Sequence, residues 1–318
     1  MRLIKANRNS SLLALIAIII VTMGLLKGTA FLNYSNFEAI LTGMSYDLLF
    51  ALGMTVVLIQ GGIDLSVGSV MAFTGIVTTL LLQKGVAVPL AVASGLTTSM
   101  AIGFVNGFLV SKLNVAPFVA TLGSMSIFRG MSYVMTSGYF VNKLPGAYVA
   151  FGRGRALGLP NNVLLSIAIC IAFAVLVTRI KFFKQMFYIG SSSDASFLSG
   201  LPTNVVTIFG YIICSLTAGL AAIMMTSHLA MGHASFGTGA EMRAIAAAVV
   251  GGASLAGGKG NILGTSLGVI LVALINNAFI MLNGSQNWQS AISGIILIVA
   301  LALNLVQERI VRTRGVAA

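Results

Sequence analysis

The acid–base groups of this chain are few: six carboxylates and two histidines in 318 residues. His228 and His233 are five positions apart, with no Cys or Glu at ligand spacing, so an interfacial structural role fits them better than a metal site. Cys170 and Cys214 each sit alone in an apolar run and read as small core residues. No nucleophile–base pair can be assembled from groups so dispersed, and no metal or cofactor is implied. The run Ala253-Ser254-Leu255-Ala256-Gly257-Gly258-Lys259-Gly260 approaches a phosphate-binding loop. It carries Ala253 where that pattern needs Gly, and Gly260 where it needs Ser or Thr. ATP binding by this motif is not expected.

Hydrogen-bonding and charged groups inside apolar runs are the remaining candidates. Asp64 lies in Gly61-Gly62-Ile63-Asp64-Leu65-Ser66-Val67-Gly68-Ser69, where glycines and serines break a helical pattern. A carboxylate at membrane depth is costly and faces protein or water. Two roles are open to Asp64: a gate in a pathway, or an anchor for the glycine turn. Asn106 sits between Gly103 and Gly107, which suit close helix packing. Asn276 and Asn277 are adjacent amides within an apolar run, suited either to a polyhydroxylated solute or to interhelical bonding. Arg129 either snorkels or pairs, or serves in gating. Of the carboxylates, only Asp47 and Asp64, with Glu241 near a helix end, could relay protons. Energy for any transport is therefore expected from elsewhere.

These groups must be positioned by membrane helices. Hydrophobic residues form 58% of the chain and charged residues 8%, against about 25% charged in a soluble domain. The fold class is an all-α polytopic membrane protein, a single domain over 1–318. Ten spans are expected, at roughly 10–27, 42–60, 66–83, 88–111, 116–137, 162–179, 203–225, 241–257, 262–282 and 288–306. The eighth is short and glycine-bounded, as in a broken or partly inserted helix. Its exit, 251–258, weakly echoes 61–68. Phe31 to Glu38 suits either a short interfacial helix or a plain loop. Lipid is the surrounding partner. The net charge of +12 is scattered at helix ends, so nucleic acid is excluded as a partner. Arg2, Lys5 and Arg8, then Arg179, Lys181 and Lys184, then Arg309, Arg312 and Arg314 mark both termini and the loop after the sixth span as cytoplasmic. The N-terminal apolar run reads as an uncleaved first helix. The loop 138–160, with Lys143, Arg153 and Arg155, falls outside and suits either docking of an acidic partner or simple solvation.

The longest polar interruption of the second half runs from Arg179 to Leu201. A basic collar (Arg179, Lys181, Lys184) opens it. A short surface helix follows, begun by Ser191, Ser192, Ser193 and Asp194 and closed by Gly200. Such a segment can be gripped by a soluble partner.

Several stretches together resemble the permease subunits of bacterial ABC importers for monosaccharides, the ribose-type group related to branched-chain amino-acid permeases. They are Gly53-Met54-Thr55-Val56-Val57-Leu58-Ile59-Gln60 running into 61–69, Pro117-Phe118-Val119-Ala120-Thr121-Leu122 with Arg129-Gly130, Gly237-Thr238-Gly239-Ala240-Glu241-Met242, and Gly251 to Gly260 continuing to Gly264-Thr265. The resemblance covers about 10–306. It implies a type II ABC importer-like fold in the inner (plasma) membrane, a second permease copy or paralogue, a cytoplasmic ATP-binding subunit and a periplasmic sugar-binding protein. The segment about 188–201 would be the coupling element, with Ala195, Leu198 and Ser199 besides the residues named above. The chain departs from the family's usual Gly-Gly-Asn-x-x-Ala-Ala there, having Gly190-Ser191-Ser192-Ser193-Asp194-Ala195-Ser196-Phe197, and keeps the Leu-Ser-Gly end. Path or gate candidates are Asp64, Ser66, Asn106, Phe118, Thr121, Asn276 and Asn277. The rival reading is a self-sufficient secondary transporter or facilitator of small polar solutes.

Overall fold

The computed structural model describes residues 8–285, with 288, 291–296, 298–299 and 302. About half of the tenth expected span, 288–306, lies outside these residues. So do the landmarks Arg2, Lys5, Arg309, Arg312 and Arg314.

The chain is a bundle of helices: α1 (Arg8–Lys27), α2 (Tyr34–Ile59), α3 (Val67–Gln83), α4 (Val88–Ser111), α5 (Pro117–Thr136), α6 (Gly146–Arg153), α7 (Asn161–Arg179), α8 (Lys181–Ser191), α9 (Ser193–Leu198), α10 (Thr203–Leu229), α11 (Ala240–Gly251) and α12 (Ile262–Met281). A two-stranded ribbon, Arg155–Ala156 against Leu159–Pro160, joins α6 to α7. Among the described residues, six helical segments are long and apolar enough to cross a membrane: α1 extended to Ala30, α2, α4, α7, α10 and α12. The protein is a polytopic all-α membrane protein. α3 has 17 residues and α11 has 12, which at about 1.5 Å per residue is too short for α11 to span.

α2 and α10 form the centre. From Leu48 to Ile59 every residue of α2 is buried, as a helix apolar on all sides must be. α10 lies against α2, α3 and α4. Its approach to α4 depends on the two glycines that flank Asn106. A Cβ at Gly103 would lie 2.6 Å from the Tyr211 carbonyl oxygen, and one at Gly107 2.6 Å from Ile208 Cα. Small residues let backbones meet where lipid supplies no hydrophobic drive.

Three expectations change. Phe31 to Glu38 is neither a separate helix nor a plain loop. Asn33 caps α2, its side chain accepting from the Ser35 N–H at 3.1 Å, so the helix starts at Tyr34 instead of about 42. The eighth span ends at Gly251 instead of 257, because Gly252 takes a φ of 113°, closed to other residue types. The collar is also more than a loop. Lys181 and Lys184 belong to α8, which buries Phe183, Met186 and Ile189 on one face.

Gly103→Ala is expected to lower stability by about 1–3 kcal/mol through overpacking, read as an earlier unfolding midpoint in detergent. Gly146→Ala is the control, since no atom lies within 4 Å of a Cβ there, and it should leave the midpoint unchanged.

Candidate functional site

Asp64 is fully buried between α2 and α3. Its Oδ1 accepts from the Ser66 N–H at 2.8 Å and the Ser66 hydroxyl at 2.6 Å, a turn that a side-chain carboxylate closes on its own backbone. The Ser66 Oγ accepts from Asn106 Nδ2 at 2.9 Å. The Asn106 Oδ1 accepts from the Ser124 hydroxyl. All four side chains are buried. Asp64 Oδ2 has no hydrogen-bond partner among the described residues. The Thr121 hydroxyl donates to Pro117 O at 2.8 Å and lies 3.4 Å from Ile63 O. Asp64, Ser66, Asn106 and Thr121 thus gather where α4 and α5 meet the α2–α3 break. Phe118, one turn before Thr121, is exposed.

Asn276 and Asn277 lie elsewhere. They line a cavity of about 540 Å³ between the N-terminal half of α2, the C-terminal half of α12 and residues 235–238. Asn277 Nδ2 donates to Asn36 Oδ1 at 2.8 Å. Asn276 Oδ1 is enclosed and has no partner among the described residues. Opposite stands an ion pair, Arg243 Nε to the Asp47 oxygens at 3.0 and 3.2 Å. Sequence reasoning weighed Asp47 only as a proton relay and missed Arg243 as its partner. Arg129 lies within electrostatic reach of Glu241. It donates to the carbonyls of Ala234 and Phe236, the latter at 2.7 Å, tying the 230–239 segment to α5.

The coupling candidates form one protruding unit. Arg179 ends α7, and Lys181 and Lys184 are exposed on α8. Ser192 caps α9 by accepting from the Ala195 N–H at 3.2 Å. Residues 191–200 are exposed apart from Ser196, including Phe197 at 66% and Leu198 at 84%. Large apolar side chains bared on so polar a stretch are what a partner would cover. The unit's root is backbone against backbone. Gly258 N donates to Ile59 O at 2.8 Å. Gly190 fits between them: its Cβ would lie 1.9 Å from Ile59 O and 2.5 Å from Gly258 N. The two glycine-rich breaks, after α2 and after α11, therefore meet at the last turn of α8.

At the opposite end Lys143 is exposed, with a φ of 61°. Arg153 Nε donates to His228 O at 3.0 Å. Arg155 pairs with Glu38 at 2.8 Å and also donates to the Tyr34 hydroxyl and to Gly158 O. The hydrogen bond to Glu38 holds the Arg155 guanidinium above its ordinary range. Of the three basic candidates, Lys143 keeps its charge least engaged. His228 and His233 bond to backbone carbonyls, and no metal-ligand cluster occurs among the described residues.

The family model described as branched-chain amino acid transport system / permease component matches residues 36–301. The ribose import permease protein of Escherichia coli strain K12 is 35% identical over 298 residues, 92% of each chain. The D-allose transport system permease protein of that strain is 32% identical over 291 residues, 91% of this chain and 89% of the other. Its L-arabinose transport system permease protein is 30% identical over 283 residues, 89% and 86% of the two. No solved structure matches the chain.

Asn106→Ala would strip partners from the Ser66 and Ser124 hydroxyls at once. Leaving buried groups unpaired costs about 1–3 kcal/mol, so the unfolding midpoint in detergent should fall. An unchanged midpoint would mean that the Asp64 cluster does not hold α4 and α5 to the break.

Proposed function

Because the chain belongs to the branched-chain amino acid transport system / permease component family, we propose that it is the membrane-spanning subunit of an ATP-driven importer for a monosaccharide or a related small polyol. The sugar class follows the relatives named for ribose, D-allose and L-arabinose transport. The chain itself is non-catalytic. ATP is hydrolysed by a cytoplasmic ATP-binding subunit, and solute is delivered by a periplasmic sugar-binding protein. A second copy or a paralogue completes the pathway. The protein sits in the bacterial inner membrane with both termini cytoplasmic.

The observation that carries this reading is the exposed unit of α8 and α9, rooted through Gly190 in both helix breaks. A cleft on the ATP-binding subunit grips Phe197, Leu198 and their neighbours. ATP-driven closure of two such subunits displaces the units, and their backbone roots carry the movement to the ends of α2 and α11. Arg179, Lys181 and Lys184 hold the unit at the lipid headgroups. Asp64, Ser66, Asn106, Phe118, Thr121, Asn276 and Asn277 lie along the path or brace its gates. Lys143, Arg153 and Arg155 face the binding protein.

Reconstitution in vesicles tests the reading. Uptake of ribose, allose or arabinose should require ATP, the ATP-binding subunit and the binding protein together. Sugar movement by the chain alone, down a gradient or with protons, would establish the secondary transporter instead. Gly190→Ala should uncouple the assembled importer, because the added Cβ wedges α8 off its root. ATP hydrolysis should persist while uptake per ATP falls about tenfold or more, the scale expected when a positioning contact shifts by about 1 Å.

A further inference from the structure

A second cavity, about 320 Å³, is walled by α4, α6, α7 and α10. Val88, Val92 and Leu96 line it from α4, Leu165 from α7 and Leu220 from α10. Tyr148 of α6 is the one polar side chain in the lining, and its hydroxyl is engaged by Thr226 at 2.6 Å and by the Ile223 carbonyl at 3.2 Å. Only its ring is left for the cavity. α4 packs against α10 and α3, and α7 against α2 and α12, so the cavity occupies a gap that neither helix closes. Leu90, Phe151 and Ile167, on the walls of the gap, are exposed.

The walls are those of a membrane bundle, since α4, α7 and α10 are all long and apolar enough to cross. An apolar cavity of about 150 Å³ already takes up benzene, and one left empty forfeits dispersion contacts along its whole lining. The apolar molecule at hand in a bilayer is an acyl chain. From Val88 to Leu96 the α4 wall runs about 12 Å at about 1.5 Å per residue. Half of the hydrocarbon core is about 15 Å thick, so the groove matches the upper part of one chain.

The mouth of the groove is basic. Gln83 Nε2 donates to Asn142 O at 3.4 Å, which brings the next residues, Lys84 and Lys143, to one rim. Leu82, Val86 and Val88 pack with Leu144 and Tyr148 beneath that rim. Both lysines are exposed and neither has an ion pair among the described residues. Basic groups beside a gap between membrane helices suit an anionic headgroup. A second copy of the chain is the poorer occupant. Of its six carboxylates, Glu38 and Asp47 already face arginines, Asp64 is buried, and Asp194 stands at the other end of the bundle in α9.

We propose that this groove binds an anionic phospholipid, one acyl chain lying between α4 and α7 and the phosphate at Lys84 and Lys143. The lipid props the two helices over α10. The site is independent of the transport reading.

Native mass spectrometry of the purified full chain tests it, with equal amounts of phosphatidylglycerol and phosphatidylethanolamine added after delipidation. The wild-type chain should retain phosphatidylglycerol in preference. Lys84→Gln should cut that preference about fivefold, the scale of one basic group at a membrane surface. Val92→Trp should abolish retention of both lipids, while the unfolding midpoint in lipid-free detergent stays equal or rises because the ring fills a void. Leu220→Phe narrows the groove from the opposite wall and carries the same expectation should Val92→Trp fail to fold. Equal retention by the wild type and the folded groove variants would overturn the site. So would equal retention of both lipids and detergent, unchanged by Lys84→Gln, which would mean a space filled by any chain present. A lipid-free dimer whose copies crosslink through Val92→Cys would give the groove to a second copy instead.

Discussion

A carboxylate cannot be left bare inside an apolar bundle. Transfer of an isolated ionised group into a low-dielectric interior is prohibitive, so Asp64 must be met by donors that the fold brings to it. Ser66 supplies two of them from its own turn. Asn106 and Ser124 extend the chain of bonds onto α4 and α5. The break between α2 and α3 is therefore bolted to two further helices through groups that cannot find water if they part. Chains of such bonds reinforce one another in a low dielectric, and each becomes costly once its neighbour is lost. The close approach at Gly103 and Gly107 sets how deeply Asn106 can reach.

The second break obeys the same requirement by another route. Non-helical backbone at membrane depth persists only where protein satisfies it. The 230–239 segment is held by Arg129 through two carbonyls. The end of α11 is held by Arg8, which donates to the carbonyls of Val249 and Val250; a cation at a helix C-terminus also suits the helix dipole. Both arginines donate to backbone carbonyls. The two breaks then meet at Ile59 and Gly258, and Gly190 brings α8 to the same point. A movement applied to α8 reaches both breaks through contacts with no flexible side chain between them.

Much of this was legible in residue types, because it depends on local order. The glycine breaks, the packing role of Gly103 and Gly107, the shortness of the eighth span and the polar unit after α7 all follow from composition over a few residues. The start of α2 was misjudged by eight or so positions because Asn33 was counted with a polar interface instead of as a cap. α8 was hidden among its lysines, although Phe183, Met186 and Ile189 repeat at a helical interval. The pairs Asp47–Arg243 and Glu38–Arg155 join residues over a hundred positions apart, and no local pattern announces them. Asp64 is bonded to the turn in which it sits.

That last point separates two kinds of buried polar group in this chain. Asp64, Ser66, Asn106 and Ser124 bond to each other, and Asp64 Oδ2 is enclosed without a partner among the described residues. A solute could bond to them only by displacing bonds already made, with little net gain. The polar groups beside α12 are arranged differently, a closed ion pair and two amides lining a cavity. Groups that lock a bundle and groups that handle a passing solute need opposite states of saturation. By that criterion the framework runs through the α2–α3 break.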